Sequence, residues 1–148
     1  MQQLAFPQYN IKLKTEQGQQ FVFDVLRRKY LVLTPEEWVR QHVLHYLIED
    51  RNFPQGLISI EKGVKVNQQA KRYDLLVYSR NATPLMLVEC KAADVKINQD
   101  VFDQAFVYNL TIKAPYILLS NGLQNFCCKI DKEGKSEFLK TIPEYKEL

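Results

Sequence analysis

Three residues near the middle of the chain have the types and spacing for hydrolytic chemistry: Asp74, Glu89 and Lys91, within K-R-Y-D-L-L-V-Y-S-R-N-A-T-P-L-M-L-V-E-C-K from Lys71 to Lys91. Two apolar runs, Leu75–Tyr78 and Leu85–Val88, flank the polar segment Ser79–Thr83, and Pro84 opens the second run. Short runs of β-formers around such a cluster predict a β-hairpin. A turn centred between Asn81 and Ala82 sets Asp74 opposite Glu89, and opposed residues share a face with Cβ atoms about 5 Å apart. Alternation brings Lys91 to that face and turns Cys90 away. Two carboxylates so close repel unless a proton or cation lies between them. An oxygen-lined site with few protein ligands suits Mg²⁺ or Mn²⁺. A lysine beside a cation loses basicity and can orient or deprotonate a water. Metal and activated water together hydrolyse a phosphodiester. The competing reading is plain: Glu-x-Lys is common on strands, and an Asp opposite a Glu can simply be solvated at a sheet edge. Leu76 and Leu87 fall on the charged face, with Leu75, Val77, Met86 and Val88 on the other. Strands apolar on both faces are covered on both faces, so the charges lie at the mouth of a buried region.

The elements that must hold these residues are legible on either side. In T-P-E-E-W-V-R-Q-H-V-L-H-Y-L-I-E-D-R-N, Thr34 is an N-cap, Pro35 the first helical residue and Glu37 the third, the pattern of a capping box. The helix is expected over 35–50, with Val39, Val43, Tyr46 and Leu47 on its buried stripe. Glu36 falls at the rim of that stripe, either snorkelling to solvent or reaching into a site. Glu37 points away and reads as a cap and solvent residue. His42 and His45 have a spacing that zinc sites sometimes use, without a further Cys or His nearby to complete one. Residues 57–66 read as a strand, and 67–70 as a turn into the hairpin. Asn98 caps a second helix from Gln99 to about Ile112, with Val101, Ala105, Tyr108 and Ile112 on one stripe. Gln104 and Tyr108, one turn apart, are placed to look at the sheet near Glu89 and Lys91, although Gln104 also reads as an ordinary flanking polar residue. Residues 115–120 and 125–130 are strands. The helix before Tyr116 makes that strand parallel to the one ending at Val88.

Composition sets bounds. The chain has 148 residues, 46% hydrophobic and 25% charged, with a net charge of +3. That is one globular domain with a real core, only mildly basic. Nothing approaches the roughly 20 apolar residues needed to cross a bilayer, and the N-terminus lacks signal-peptide organisation. Three cysteines make neither a disulfide framework nor a zinc site, which points to a reducing cytoplasm. Residues 1–20 look like an arm with little core of its own, 21–25 and 30–33 like short β runs, and 136–148 like a short strand with a loosely held tail. The expected organisation is a single domain over 1–148: a β-rich arm at 1–33, a core at 34–121, and a C-terminal strand and tail at 122–148.

The order helix with Glu, strand, strand with Asp, strand with E-x-K, helix with Gln, strand resembles the PD-(D/E)XK nuclease superfamily. T-P-E-E-W-V-R-Q, K-R-Y-D-L-L-V-Y, L-V-E-C-K-A and D-Q-A-F-V-Y-N look like the N-terminal nuclease domain of type I restriction enzyme R subunits. The resemblance implies an α/β restriction-endonuclease-like αβββαβ core, in which a mixed sheet is flanked by helices. It implies Asp74 and Glu89 as metal ligands, Lys91 as the catalytic lysine and Glu36 as the first-helix carboxylate. Gln104 and Tyr108 match the Q-x-x-x-Y element of the exonuclease-like branch. Tyr73 stands where the superfamily's name motif has proline. No G-x-x-x-x-G-K-[ST] phosphate loop is present, so the expected protein is free-standing, without a helicase motor.

On that resemblance the chain is a Mg²⁺-dependent deoxyribonuclease, with Mn²⁺ as an alternative cofactor. Asp74, Glu89 and the backbone carbonyl of Cys90 would hold the ion, Lys91 would position water, and Gln104 would orient Lys91 or a phosphate. Lys71, Arg72, Lys96 and Tyr108 would touch DNA without reading sequence. The alternatives are a non-cleaving nucleic-acid-binding or assembly module on the same fold, and a small-molecule enzyme, which the lack of a Gly-rich cofactor loop disfavours. DNA is the expected partner. A homodimer, or partner proteins supplying specificity, are open additions, and no membrane association is expected.

Overall fold

In the computed structural model, described over residues 1–60 and 74–148 and for the backbone of 63–66 and 69–72, a six-stranded mixed sheet is covered by one helix on each face. The sheet contains β4 (Ile58–Ile60), β7 (Leu75–Tyr78), β8 (Pro84–Cys90), β9 (Tyr116–Ser120), β10 (Asn125–Ile130) and β11 (Ser136–Leu139), in the order β11-β10-β9-β8-β7-β4. Only β8 and β9 run parallel within it, joined through α2 (Gln99–Ile112) as the helical crossover requires. A three-stranded antiparallel sheet of β1 (Leu13–Glu16), β2 (Gln19–Asp24) and β3 (Lys29–Val32) precedes α1 (Pro35–His45). A separate hairpin pairs β5 (Gly63–Val66) with β6 (Gln69–Arg72).

Strand alternation distributes the apolar residues between two cores. Leu75, Val77, Met86 and Val88 pack with Val39, Val43 and Leu44 from α1 and with Leu47 from the turn that follows it. Leu76 and Leu87 pack on the opposite face with Val101 and Ala105 from α2. This is the division expected of a central hairpin buried on both sides. The β7–β8 register pairs Leu75 with Val88, Leu76 with Leu87 and Val77 with Met86, then shifts at a bulge between Val77 and Tyr78. The tight turn carries Ala82 at φ 62°, and the Ser79 carbonyl accepts from its N–H at 3.0 Å.

Several expectations need correction. The first helix keeps its Thr34 cap, whose side chain accepts from Glu37 N–H at 3.0 Å, but from Tyr46 to Asp50 it widens into a π-helical turn closed by Arg51 N–H donating to the Tyr46 carbonyl at 3.1 Å. The strand expected over 57–66 splits, with Ile58–Ile60 in the main sheet and Gly63–Val66 in the separate hairpin. Gln69 and Ala70 are strand rather than turn, and residues 67 and 68 lie outside the described residues. The N-terminal arm, expected to have little core of its own, packs onto the main one. Leu4 is buried in the α1 core, Trp38 Nε1–H donates to the Gln2 carbonyl at 2.8 Å, and Ala5 N–H donates to the Gly122 carbonyl at 2.8 Å. Gly122, at φ 84°, is needed there because a Cβ would stand 2.8 Å from a Leu4 methyl. The C-terminal tail is held as well: Ile142 is buried, and the Tyr145 hydroxyl donates to the Tyr78 carbonyl at 3.1 Å. Among the described residues no helix is long and apolar enough to cross a membrane.

Candidate active site

Asp74 stands at the entrance to β7, its N–H donating to the Val88 carbonyl at 3.2 Å. That bond, with Cys90 N–H donating to its carboxylate, sets it beside Glu89, the penultimate residue of β8. Both carboxylates are nearly sealed, at 7% and 5% exposure. Burial pushes the Glu89 carboxyl up to about 7, and the charge of Asp74 adds to the rise while Lys91 opposes it. Among the described residues, one oxygen of Glu89, Oε2, is buried without a hydrogen-bond partner. An acceptor desolvated and left unpaired costs free energy, so this carboxylate wants a proton or a cation.

Asp74 is differently placed. Its Oδ2 accepts from Cys90 N–H at 2.6 Å, and its Oδ1 lies 2.5 Å from Nη2 of Arg40. Arg40 also reaches Glu36 Oε1 at 3.1 Å through Nη2 and Glu37 Oε1 at 2.5 Å through Nη1. Burial works against the guanidinium charge, but Asp74 and Glu37 more than offset it and raise its pKa. Sequence reading missed Arg40 entirely. A signal was available, because Arg40 lies four residues after Glu36 and so shares its side of the helix.

Glu36 borders the cluster. Burial raises its carboxyl, the Asp74 charge raises it further, and Arg40 and Lys91 act in the opposite sense. Glu37 is not the solvent residue expected from the helical wheel. At 7% exposure it is buried, pairing with Arg40 and accepting from Gln41 Nε2–H at 3.1 Å. The wheel considered only the face toward the main sheet, whereas β2 covers the other flank of α1. Glu37 therefore makes half of a capping box, its carboxylate being used by Arg40 and Gln41.

Lys91 is half-buried just past β8, anchored by its N–H donating to the Ser120 carbonyl at 2.8 Å. From α2, half-buried Tyr108 looks toward the carboxylates: burial raises its hydroxyl pKa, and the charges of Glu89 and Asp74 raise it further. Gln104, one turn earlier, is exposed, as is Lys96 in the segment after β8. Cys90 is sealed in the α1 core, where burial raises its thiol pKa well above the ordinary value. His42 Nδ1 is engaged with the Trp38 carbonyl at 2.8 Å and His45 pairs with Glu49, so the two imidazoles do not converge. The side chains of Lys71 and Arg72 lie outside the described residues.

These residues bring together Glu36, Arg40, Asp74, Glu89, Lys91 and Tyr108 at one end of the sheet, between the two helices. The donor set fits a hard divalent cation: two carboxylates, one with an orphaned buried oxygen, and a neighbouring backbone. Among the described residues no group of three or more His, Cys, Asp and Glu is arranged to hold a metal. A two-carboxylate site completed by water is nonetheless the usual manner of Mg²⁺.

The family model for the type I restriction enzyme R protein N terminus matches residues 35–143. Among solved structures, a fragment described as an HsdR subunit of a type I restriction enzyme from Vibrio vulnificus YJ016 is similar, with a TM-score of 0.57 and 20% identity, over 78% of this chain and 24% of that one. At that identity the likeness is one of fold, and this chain spans under a third of the length of that relative. No curated protein matches the sequence.

Proposed function

Because this chain belongs to the type I restriction enzyme R protein N-terminal family, we propose that it is a nuclease domain that hydrolyses DNA phosphodiester bonds with Mg²⁺ or Mn²⁺. The observation that carries the reading is the buried pair of Asp74 and Glu89, with an orphaned Glu89 oxygen and Lys91 two residues along the strand. Asp74, Glu89 and the Cys90 carbonyl are the groups that would hold the cation. Bound there, it supplies Lewis acidity toward a phosphoryl oxygen and lowers the pKa of water. Lys91 contributes a positive charge beside the attacked phosphate and orients water from its half-buried position just past β8. Tyr108 and Gln104 offer polar groups from α2, and Lys96 a phosphate contact. Hydrolysis of this kind draws on metal and water alone, so the cleavage step itself needs no ATP.

The test is incubation of the protein with single-stranded, duplex, nicked and branched DNA in Mg²⁺, Mn²⁺ or EDTA. Cleavage in either metal and none in EDTA supports the reading. A second reading, a non-cleaving DNA-binding or assembly module, is favoured by one specific observation: both oxygens of Asp74 are already engaged, by Arg40 and by Cys90 N–H. Metal binding without cleavage of any of these substrates would select it.

A further inference from the structure

The chain's net charge is not spread over the molecule. Five of its 20 Lys and Arg and two of its 17 Asp and Glu precede Thr34, so residues 1–33 carry +3 and the remainder, with fifteen of each sign, is neutral. Within that N-terminal region the acids are already matched. Asp24 is buried and pairs with Arg27 at 2.9 Å, and Glu16 pairs with Lys14 at 2.9 Å. The excess therefore rests on Lys12, Arg28 and Lys29, all exposed.

The same sheet carries an aromatic face. Along β2, Val22 and Asp24 are buried while Phe21 and Phe23, alternating with them, point to the other side. Tyr30 lies opposite Phe23 in the register, with ring centroids 5.2 Å apart in an edge-to-face arrangement. Lys14 lies opposite Phe21. Among the described residues, none of the three rings packs into either core. They are half-exposed, and lysines lie over them: Lys12 Nζ is 5.4 Å from the Phe23 ring centre, and Lys14 Nζ is 4.4 Å from that of Tyr30 and 5.7 Å from that of Phe21.

We propose that the outer face of β1–β3 is a binding platform for a single nucleic-acid strand, with unpaired bases stacking on Phe21, Phe23 and Tyr30 and phosphates meeting Lys12 and Lys14. Flat rings interleaved with cations suit a chain that alternates flat bases with anions. Duplex DNA keeps its base faces stacked and can use only the cations. A lysine over an exposed ring is a weaker contact than a stacked base. The ammoniums can therefore swing to phosphates as bases take their place. The platform is joined directly to the site's helix: Val32, opposite Phe21, stands two residues before the Thr34 cap and four before Glu36. The platform's residues precede the segment matched by the family model, so the proposal adds to the nuclease reading and does not depend on cleavage.

The experiment is fluorescence anisotropy with the full chain in EDTA, using a labelled oligothymidylate of about a dozen nucleotides and its duplex with oligoadenylate. Single-strand binding should exceed duplex binding at least tenfold. A variant with Phe21→Leu, Phe23→Leu and Tyr30→Leu, which keeps the apolar bulk, should bind the single strand at least tenfold more weakly with an unchanged salt dependence. Lys12→Ala with Lys14→Ala should weaken binding and also flatten the slope of log affinity against log salt by about 0.7 for each phosphate no longer neutralised. Should the leucine variant misfold by circular dichroism, ring quenching in the wild type serves instead, since tyrosine emission must fall on addition of the oligothymidylate if Tyr30 stacks. Equal affinity for duplex, unaltered binding by the folded leucine variant, unquenched tyrosine emission, or displacement of the single strand by polyglutamate at matched charge would each overturn the proposal. Because the measurement is made in EDTA, failure of the nuclease reading leaves its outcome unchanged.

Discussion

Arg40 Nη2 lies 2.5 Å from Asp74 Oδ1 and 3.1 Å from Glu36 Oε1, so one guanidinium nitrogen links the first helix to the carboxylate at the head of β7. Arg40 is an internal counter-cation on the same oxygen set that a divalent ion would use. Like charges compete for one carboxylate, which sets up the first prediction.

Arg40→Met should bind Mg²⁺ or Mn²⁺ roughly tenfold more tightly, because a competing cation is removed. Its metal-free form should be less stable by about 3 kcal/mol, the scale for leaving buried carboxylates without their partner. Metal should restore much of that loss. Calorimetric titration beside thermal unfolding with and without Mn²⁺ measures both. Weaker metal binding by a folded Arg40→Met protein would show that Arg40 supports the site and does not compete for it.

Glu89 gives the molecule a pH dependence of definite sign. Its ordinary value is 4.5 and the folded value about 7. Below pH 4.5 the carboxyl is protonated in both folded and unfolded chains. Between 4.5 and 7 the folded protein keeps a proton that the unfolded chain has lost, so stability is lost as pH rises through this window. Glu89→Gln removes the loss and should be more stable than wild type at pH 8 by about 3 kcal/mol in EDTA, from about 1.4 kcal/mol per pH unit. Urea unfolding at pH 5 and pH 8 tests it. A difference between the two proteins that does not change with pH would count against a protonated Glu89.

Lys91 and Asp74 should separate rate from affinity. Lys91→Ala removes a positive charge from beside the proposed ion, so metal affinity should be kept or slightly improved, while cleavage falls by roughly 10²-fold or more. Asp74→Ala should lose both together. Paired metal titrations and cleavage rates decide, and unimpaired cleavage by Lys91→Ala would remove the lysine from the chemistry.

Cys90 faces the α1 core with 1% exposure. Cys90→Ala should lower stability by about 1 kcal/mol through the space it leaves. Cleavage should persist, since only the backbone of residue 90 touches the site. A folded Cys90→Ala protein with no activity would give the thiol a role in the chemistry.

Much of the frame was legible before any coordinates. Alternating apolar residues on either side of Ser79–Thr83 specified the β7–β8 register, because a slip of one residue would turn Leu75 and Leu76 each to the wrong core. Thr34 and Asn98 marked the helix starts, because exposed backbone N–H groups there need local acceptors, and both side chains accept as expected. From register and caps it followed that Asp74, Glu89 and Lys91 gather at one strand end. What lay beyond reach was set by contacts distant in sequence. Glu37 looked like a solvent residue until β2 covered its flank. Arg40 gained its partner from Asp74, 34 residues away. The tail looked loose until Tyr145 met the Tyr78 carbonyl across 67 residues. Periodicity reports which face of an element is apolar, and local signals report where it starts. Which second surface then covers a polar flank, and which distant charge a long side chain finds there, is decided only when the elements pack.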